Sequence, residues 1–356
     1  MSIFSPATHF VFHDLFTALL TPPLATIAIC TWNRAGYLAD TLRDLGRQTA
    51  PTDRFEVLVV DNNSSDSTGE VTRDFISSHP GHHVRYVTEE KQGLSHARNC
   101  AWREAKADAV VYIDDDVILP ETYVETLLRY LETRPAVRAA GGRILVRFDG
   151  VGEPPRWLPH PLMPMFGLHD LGDEEQIYRN NFPRGGNMVI RKKLLKQLGG
   201  FDTRLGRSGD TLAGSEEKAL FERATEEGET LHYWGELLLY HRIGAHRLEP
   251  DYMERQSTGI GQSERIRVAG QPFGVARKLF SELVKGSGSL ILSAGYLIAG
   301  RPGAAAALLR FRRHVLTGFL CADGSHKDTS QKNASHKTTP SESSGRKSEG
   351  TNTGGA

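Results

Sequence analysis

The sequence has few cysteines, no excess of charge of either sign and no long apolar run. Only three of its 356 residues are cysteine, and lysine plus arginine equals aspartate plus glutamate at 43 each. Cys30, Cys100 and Cys321 show no metal or disulfide spacing, which predicts a reducing, cytoplasmic compartment. The balanced charge argues against bulk electrostatic binding of nucleic acid, so we expect no nucleic-acid partner.

Targeting and membrane-spanning signals are also weak. Residues 1–23 form an N-terminal extension that lacks a basic n-region and a clear cleavage site. The uncharged stretch 286–300 is shorter than the about 20 apolar residues that a spanning helix needs. Residues 274–320 are predicted either as a helical hairpin packed on the main domain or as a basic amphipathic segment on an anionic membrane surface. The inner face of the membrane is therefore an alternative location.

Apolar, β-branched runs alternate with amphipathic segments in the first third of the chain. This alternation predicts an α/β fold of Rossmann-like βαβ units with a mostly parallel central sheet. Polar clusters follow the strands, at the end where such sheets bind ligands. The predicted strands are 25–30, 55–60, 84–88 and 109–113, and the predicted helices are 34–47, 67–78 and 94–105.

The pattern is less regular after residue 145. A proline-rich loop or lid is followed by short strands, two helices, a C-terminal helical segment and a tail without aromatic residues that we predict to be disordered. These segments are the loop 152–164, strands 188–190 and 237–240, helices 192–198 and 216–227, the helical segment 251–320 and the tail 321–356.

Asp114, Asp115 and Asp116 directly follow the fourth predicted strand. Unpaired buried charges are costly, so these carboxylates are expected to meet water, a cation or a ligand. Adjacent hard oxygen ligands suit Mg²⁺ or Mn²⁺. Residues two apart in an extended segment point the same way, which predicts Asp114 and Asp116 as the metal pair and turns Asp115 aside, toward a ribose or a structural role. A solvated acidic turn is the alternative.

Other polar residues are candidates for ligand binding or catalysis, and each also has a purely structural interpretation. Asp61 follows the second strand, where it would accept from a nucleobase N–H or form an Asx-turn or helix N-cap. Arg98 would approach a diphosphate or base, or form a surface ion pair with Glu104 or Asp108. The pair at 216–217 begins a helix, whose dipole stabilises carboxylates there whatever their function.

Seven short motifs, in order along the chain, resemble those of family 2 glycosyltransferases. Each motif is weak alone, and the ordered set is specific. The resemblance covers about residues 24–250. The motifs are TIAICTWNR at 26–34, VVDNNSSD at 59–66, GLSHARN at 93–99, IDDD at 113–116, RGGN at 184–187, GGFD at 199–202 and GSEE at 214–217.

The resemblance implies one nucleotide-diphospho-sugar transferase domain of the GT-A type over 24–250, with a donor half at 24–120 and an acceptor and catalytic half at 121–250. It implies that Thr31 and Asp61 bind the nucleobase. The family usually has Glu-Asp at the catalytic pair, and the second member is the general base. Here that member is Glu217, one methylene longer, and Glu216 stays an alternative base.

The implied reaction is metal-dependent, inverting transfer from a nucleotide-diphosphate sugar to a hydroxyl of a saccharide or lipid-linked acceptor, in polysaccharide or glycoconjugate synthesis. The resemblance also puts a histidine near the metal or phosphates, which here is His241; a solvated basic turn formed with Arg242 and Arg247 is its alternative.

Two rival functions use the same residues differently. A sugar nucleotidyltransferase would ordinarily carry a glycine-rich phosphate loop after the first strand, and CTWNR at 30–34 has no glycine. A non-catalytic sugar-nucleotide or saccharide binding subunit is left open by the unusual Glu217.

Overall fold

The structure, a computed structural model, describes residues 22–150, 153–207 and 215–322. Most of the predicted extension 1–23 and all but two residues of the predicted tail 321–356 lie outside the described residues, as does the start of the predicted loop 152–164.

The first half of the chain forms the predicted alternation of strands and helices. The apolar runs become strands, and the segments with leucines three or four residues apart become helices. The bounds are β1 Ala25–Thr31, α1 Ala35–Leu45, β2 Phe55–Asp61, α2 Thr68–Ser78, β3 Val84–Thr88, α3 Leu94–Glu104, β4 Ala109–Ile113, β5 Val117–Ile118 and α4 Tyr123–Thr133.

The second half is less regular. It contains β6 Ala139–Phe148, a 3-10 helix at His160–Phe166, β7 Gln176–Ile177, β8 Asn187–Arg191, α5 Lys192–Gln197, α6 Glu216–Glu226 and β9 Leu231–Ile243. A second 3-10 helix, Ala245–Leu248, leads to the C-terminal helices α7 Pro250–Val268, α8 Gly274–Ile298 and α9 Pro302–Cys321.

Within the described residues the strands form one sheet, in the order β3-β2-β1-β4-β8-β6-β9-β5, with β7 paired to β9. Strands β3, β2, β1 and β4 are all parallel, and β6 pairs with β9 in parallel along ten residue pairs. Strand β8 is antiparallel to both β4 and β6. The predicted α/β fold with a mostly parallel central sheet is confirmed, and the antiparallel β8 joins its two parallel parts.

Both faces of the sheet are covered by helices. Because neighbouring strand residues face opposite sides, Ile27 and Ile29 pack with α1, α2 and α4, whereas Ala28 packs with α3, α5 and α6. Two apolar layers therefore hold the carboxyl ends of β1 and β4 in fixed positions.

The C-terminal region is helical, as predicted, and α8 and α9 form a hairpin that packs on α7. Of the helices that the structure describes, none has the length and apolarity needed to cross a bilayer. Helix α8 buries polar side chains and exposes apolar ones. Its buried positions include Glu282, Ser289 and Ser293, while Ile291 and Ile298 are 75% and 89% exposed.

Candidate active site

A cleft of about 980 Å³ opens at the carboxyl ends of β1 and β4, the end at which α/β sheets bind ligands. This volume suits a ligand of nucleotide-sugar size. Seven of the eight predicted site residues line it, and Asp61 does not. The seven are Thr31, Arg98, Asp114, Asp115, Asp116, Glu216 and Glu217.

Asp115 is held by the first strand and its turn. Its carboxylate accepts from the Thr31 hydroxyl at 2.7 Å and pairs with the Arg34 guanidinium at 2.8 Å. Burial raises the pKa of Asp115 to about 6, and Arg34 opposes that shift. Arg34 also binds Asp116, so the two carboxylates share one guanidinium. The predicted role of Asp115 near a ribose stays a prediction.

Asp116 is the most heavily paired carboxylate of the cleft. One of its oxygens, Oδ2, receives Arg34 at 2.6 Å and Arg247 at 2.9 Å, and Oδ1 lies 3.1 Å from Nε2 of His241. Burial disfavours its charged form, but His241 and the two arginines outweigh burial and hold the pKa of Asp116 well below its usual range. A solvated acidic turn is therefore wrong for Asp116, which is 1% exposed.

Asp114, Asp116 and His241 each offer one ligand atom, and these atoms lie within 4.8 Å of one another. Nδ1 of His241 lies 2.7 Å from the backbone oxygen of Phe166. A proton on Nδ1 satisfies that oxygen, so Nε2 is the nitrogen that faces Asp116 and that would bind a cation once it has lost its own proton, an arrangement typical of metal-binding histidines. Apart from its contact with Nε2 of His241, Oδ1 of Asp116 has no partner in the described part of the chain. Two carboxylate oxygens and one imidazole nitrogen thus fit a divalent cation.

Sequence reasoning gave no role to Arg34 or Arg247, and it left His241 undecided. The solvated basic turn is wrong, because His241 lies in β9 and is buried, as is Arg247. Their positions gave a partial signal of a role in the site. Arg34 is the last residue of the first motif, and His241 and Arg247 follow the predicted strand 237–240.

Arg98 is buried against the predicted catalytic pair. Its Nη1 lies 2.6 Å from Glu216 and 3.5 Å from Glu217. The alternative of a surface ion pair with Glu104 or Asp108 is wrong, because Arg98 is 3% exposed and Glu104 pairs with Arg85 instead.

The two glutamates differ in environment. Burial and the charge of Glu217 raise the pKa of Glu216 to about 8. Burial acts on Glu217 in the same direction, but Arg98 outweighs it and places the pKa of Glu217 below its usual value of 4.5. The Glu217 side chain is 21% exposed, against 3% for Glu216. Glu217 is thus the ionised carboxylate that reaches the cleft.

Gly185 and Gly186 separate the Arg98–Glu217 pair from Asp114. A Cβ on Gly185 would clash with the Arg98 guanidinium and the Glu217 carboxylate, and a Cβ on Gly186 would lie 2.7 Å from Oδ2 of Asp114. The next motif residue, Asn187, binds the backbone oxygens of Arg143 and Leu237 and so fixes the glycines relative to β6 and β9. The RGGN motif brings the two charged groups close together.

We predict that Gly185→Ala lowers kcat about 100-fold, because its methyl group displaces Arg98 and Glu217 and an error of about 1 Å in a reacting group has a cost of this size. Gly81→Ala is the control, since open space surrounds a Cβ there and Gly81 does not line the cleft. Steady-state kinetics of both variants checks this, and equal kcat values would contradict it.

The motifs around 93–99 and 199–202 hold Arg98 in position. The side chain of Asn99 accepts from the backbone N–H of Phe201 and donates to the backbone oxygen of the same residue, and Ser95 donates to the backbone oxygen of Leu205. These bonds attach α3, which carries Arg98, to the loop after α5.

Both carboxylate oxygens of Asp61 are engaged by protein groups. Oδ1 accepts from the backbone N–H of Ser64, and Oδ2 accepts from the Tyr86 hydroxyl at 2.5 Å. Ser64 lies three residues on and α2 has Ser67 as its N-cap, so Asp61 forms neither an Asx-turn nor the predicted N-cap. Contact with a nucleobase stays a prediction for Asp61 and for Thr31.

Comparison with known proteins gives the same fold. A solved mannosyltransferase from Pyrobaculum calidifontis, in complex with GDP-Man and Mn²⁺, is similar with a TM-score of 0.57 and 17% identity, over 88% of this chain and 95% of that one. The chain is also 25% identical over 244 residues to glucosyl-dolichyl phosphate glucuronosyltransferase of Haloferax volcanii, covering 68% of this chain and 76% of that protein. It is 25% identical over 262 residues to the succinoglycan biosynthesis protein ExoM of Rhizobium meliloti, covering 70% and 81%.

The described residues form a GT-A-type α/β fold around an acidic cleft. Residues 26–199 match the profile described as "Glycosyl transferase family 2". The predicted resemblance to family 2 and the predicted enzyme class, a glycosyltransferase, are confirmed.

Proposed function

We propose that this enzyme is a metal-dependent, inverting glycosyltransferase that uses a nucleotide-diphosphate sugar. One observation carries the proposal: Glu217, paired with Arg98, faces the same cleft as the Asp114–Asp116–His241 set, across two adjacent glycines. This arrangement brings a general base close to a site for two phosphates.

Asp114, Asp116 and His241 would hold the cation, and Arg34 and Arg247 keep Asp116 ionised and oriented. A bound divalent cation supplies counter-charge to the diphosphate of the donor and of the leaving nucleotide. The imidazole nitrogen favours Mn²⁺ over the harder Mg²⁺. The similar mannosyltransferase was solved with Mn²⁺ and GDP-Man, which supports the same ligand class here.

Glu217 would take the proton of the acceptor hydroxyl as its oxygen attacks the anomeric carbon. The new carbon–oxygen bond forms as the bond to the nucleotide diphosphate breaks. A single displacement of this kind inverts the anomeric centre. Arg98 keeps Glu217 ionised, and Glu216, whose pKa is raised to about 8, is the uncharged member of the pair at neutral pH.

The donor and metal are tested together by thermal shift, with UDP-, GDP- and dTDP-sugars in Mn²⁺, Mg²⁺ or EDTA. A donor that binds only the folded state raises Tm. We expect one nucleotide to stabilise selectively, only with metal, and Asp114→Asn to abolish the shift. NMR of the transfer product should show inverted anomeric configuration. Equal stabilisation in EDTA, or retention, would refute the proposal.

The acceptor is proposed to be a lipid-linked saccharide, reached through peripheral membrane contact by residues 274–320. The name of the Haloferax relative specifies a dolichyl phosphate substrate, which supports this class of acceptor. The outward face of α8 is apolar, with Phe280, Ile291 and Ile298 all at least 69% exposed, and residues 286–300 carry no charge. Such a face fits the acyl boundary of a bilayer.

Exposed cations flank this apolar face. They are Arg277 and Lys285 on α8 and Arg310 and Arg313 on α9. Lysine and arginine near a membrane surface are attracted to anionic lipids, so the surface favours a bilayer with negative charge. We therefore propose an anionic leaflet as the partner of the hairpin.

We expect cosedimentation with vesicles of phosphatidylglycerol and phosphatidylcholine, and about tenfold less binding for the double variant Ile291→Glu/Ile298→Glu, because charge in the acyl boundary is unfavourable. Ile177→Glu is the matched control, as Ile177 is 55% exposed on β7. Dimerisation that the double variant abolishes, without vesicle binding, would assign the face to a second copy instead.

A further inference from the structure

Glu264 is a buried carboxylate on α7 that contacts the helix carrying the predicted base. It accepts from Lys218 at 3.0 Å, from Arg267 at 2.9 Å and from Lys278 at 2.6 Å. Its side chain is 7% exposed. Burial disfavours the charged form, but Arg267 and the two lysines outweigh it, so the pKa of Glu264 lies well below its usual value and the group stays ionised.

The first turn of α6 depends on this carboxylate. Ser215, the N-cap residue, has a φ of 74°, and its side chain forms no capping bond to its own helix. Its hydroxyl donates to Glu264 instead, at 3.2 Å. A non-glycine residue in the left-handed region is strained and persists only when its surroundings hold it. Glu264 supplies that hold, one residue before Glu216.

A second contact continues along the same face of α6. Arg267 binds Glu264 and also Glu222, at 2.6 Å. Ser215, Lys218 and Glu222 are spaced three and four residues apart, so they share one helix face. That face docks on α7, while Glu217 extends to Arg98 and the cleft.

We infer that Glu264 is a positioning residue, which fixes the first turn of α6 and through it the carboxylate of Glu217. The inference rests on the proposed role of Glu217 as the base. It extends the working site into α7, beyond the motifs of residues 26–217.

The matched comparison is Glu264→Gln against Glu282→Gln. Glu282 on α8 is as buried, at 6% side-chain exposure, and binds Lys278, Lys285 and Arg312. None of its described contacts reaches α6. Each glutamine keeps the size of the side chain and removes its charge, so loss of a buried ion cluster is common to both variants.

We expect Glu264→Gln to lower kcat, per folded enzyme, about 10- to 100-fold, because a displaced base is a positioning error. The donor KM should change less than about threefold, since the donor contacts lie outside α6. Glu282→Gln should keep kcat within about twofold. Lys218→Met should lower kcat in the wild-type background and have no further effect in the Glu264→Gln background, because both act through one contact.

Equal effects of the two glutamine substitutions on kcat would reduce Glu264 to a structural role and overturn the inference. So would additive effects of Lys218→Met and Glu264→Gln. Failure of the proposed function gives a different result, because the wild type would then show no transfer. If only this inference fails, the wild type is active, Glu217→Gln is inactive and Glu264→Gln is fully active.

Discussion

Glu217→Gln is expected to lower kcat about 1,000-fold, within the range that general base catalysis contributes. The amide keeps the size and the position beside Arg98 but accepts no proton at neutral pH. Donor binding, measured as the Mn²⁺-dependent rise in Tm, should be retained, because the loss falls on the chemical step. Single-turnover kinetics at saturating donor checks the prediction.

Two further variants test whether Glu217 or Glu216 is the base. Glu226→Gln, on an exposed position of the same helix, should keep wild-type kcat. Glu216→Gln should lower kcat less than Glu217→Gln, since Glu216 is bound to Arg98 away from solvent. A 1,000-fold loss in Glu216→Gln with an active Glu217→Gln would transfer the role of base to Glu216.

The pH dependence of kcat follows from the direction in which the pKa of Glu217 is shifted. The base works when deprotonated, and the pKa of Glu217 lies below the usual 4.5, with burial opposed by Arg98. Glu217 should therefore stay deprotonated as pH falls from 7 to 5 and limit kcat only below 4.5. Because the pKa of Asp115 is about 6, the profile is also measured in Asp115→Asn, and a half-maximal kcat near pH 6 that persists in that variant would contradict the charge state assigned to Glu217.

Asp116→Asn is expected to lower the free energy of unfolding by about 3–5 kcal/mol, the usual cost of removing one partner from a buried ion cluster. Arg34, Arg247 and His241 all converge on this carboxylate, which is 1% exposed. An amide removes the counter-charge that Arg247 and His241 share, and leaves Arg34 with Asp115 alone. Urea unfolding in EDTA measures the effect without any contribution from metal.

Asp114→Asn is the control for that substitution. The described residues form no hydrogen bond or ion pair with Asp114, so its replacement should change stability by no more than about 0.5 kcal/mol. Both variants should lose the Mn²⁺-dependent rise in Tm. Equal urea midpoints for Asp116→Asn and the wild type would show that the cations find other partners.

The first half of the fold was predictable because its signals are local. Predicted strand 84–88 coincides with Val84–Thr88, and 109–113 with Ala109–Ile113. Strand β9 was underestimated, predicted at 237–240 and observed at Leu231–Ile243. Its polar residues gave no strand pattern, and pairing with β6, with a register shift at Gly142 and Arg143, extends it. Such pairing depends on partners distant in sequence.

The residues of the site also divide into those that local sequence patterns predict and those that only the fold brings together. The aspartates and glutamates could be found from ordered motifs. The pairing of Asp116 with Arg34 and Arg247 joins residues 82 and 131 positions apart, and neither arginine has a local pattern. The domain boundary at 250 stays a prediction, although Glu264 lies beyond it and contacts α6.

Gly185 and Gly186 also fix how far apart the backbone touches the two halves of the proposed site. Consecutive Cα atoms are about 3.8 Å apart across a trans peptide bond, whatever the side chains do. One glycine abuts Glu217 and the other abuts Asp114, so a single peptide unit spans the two points of contact. If Glu217 is the base and Asp114 binds the metal, as proposed, covalent geometry that temperature and solvent barely change holds the backbone between them.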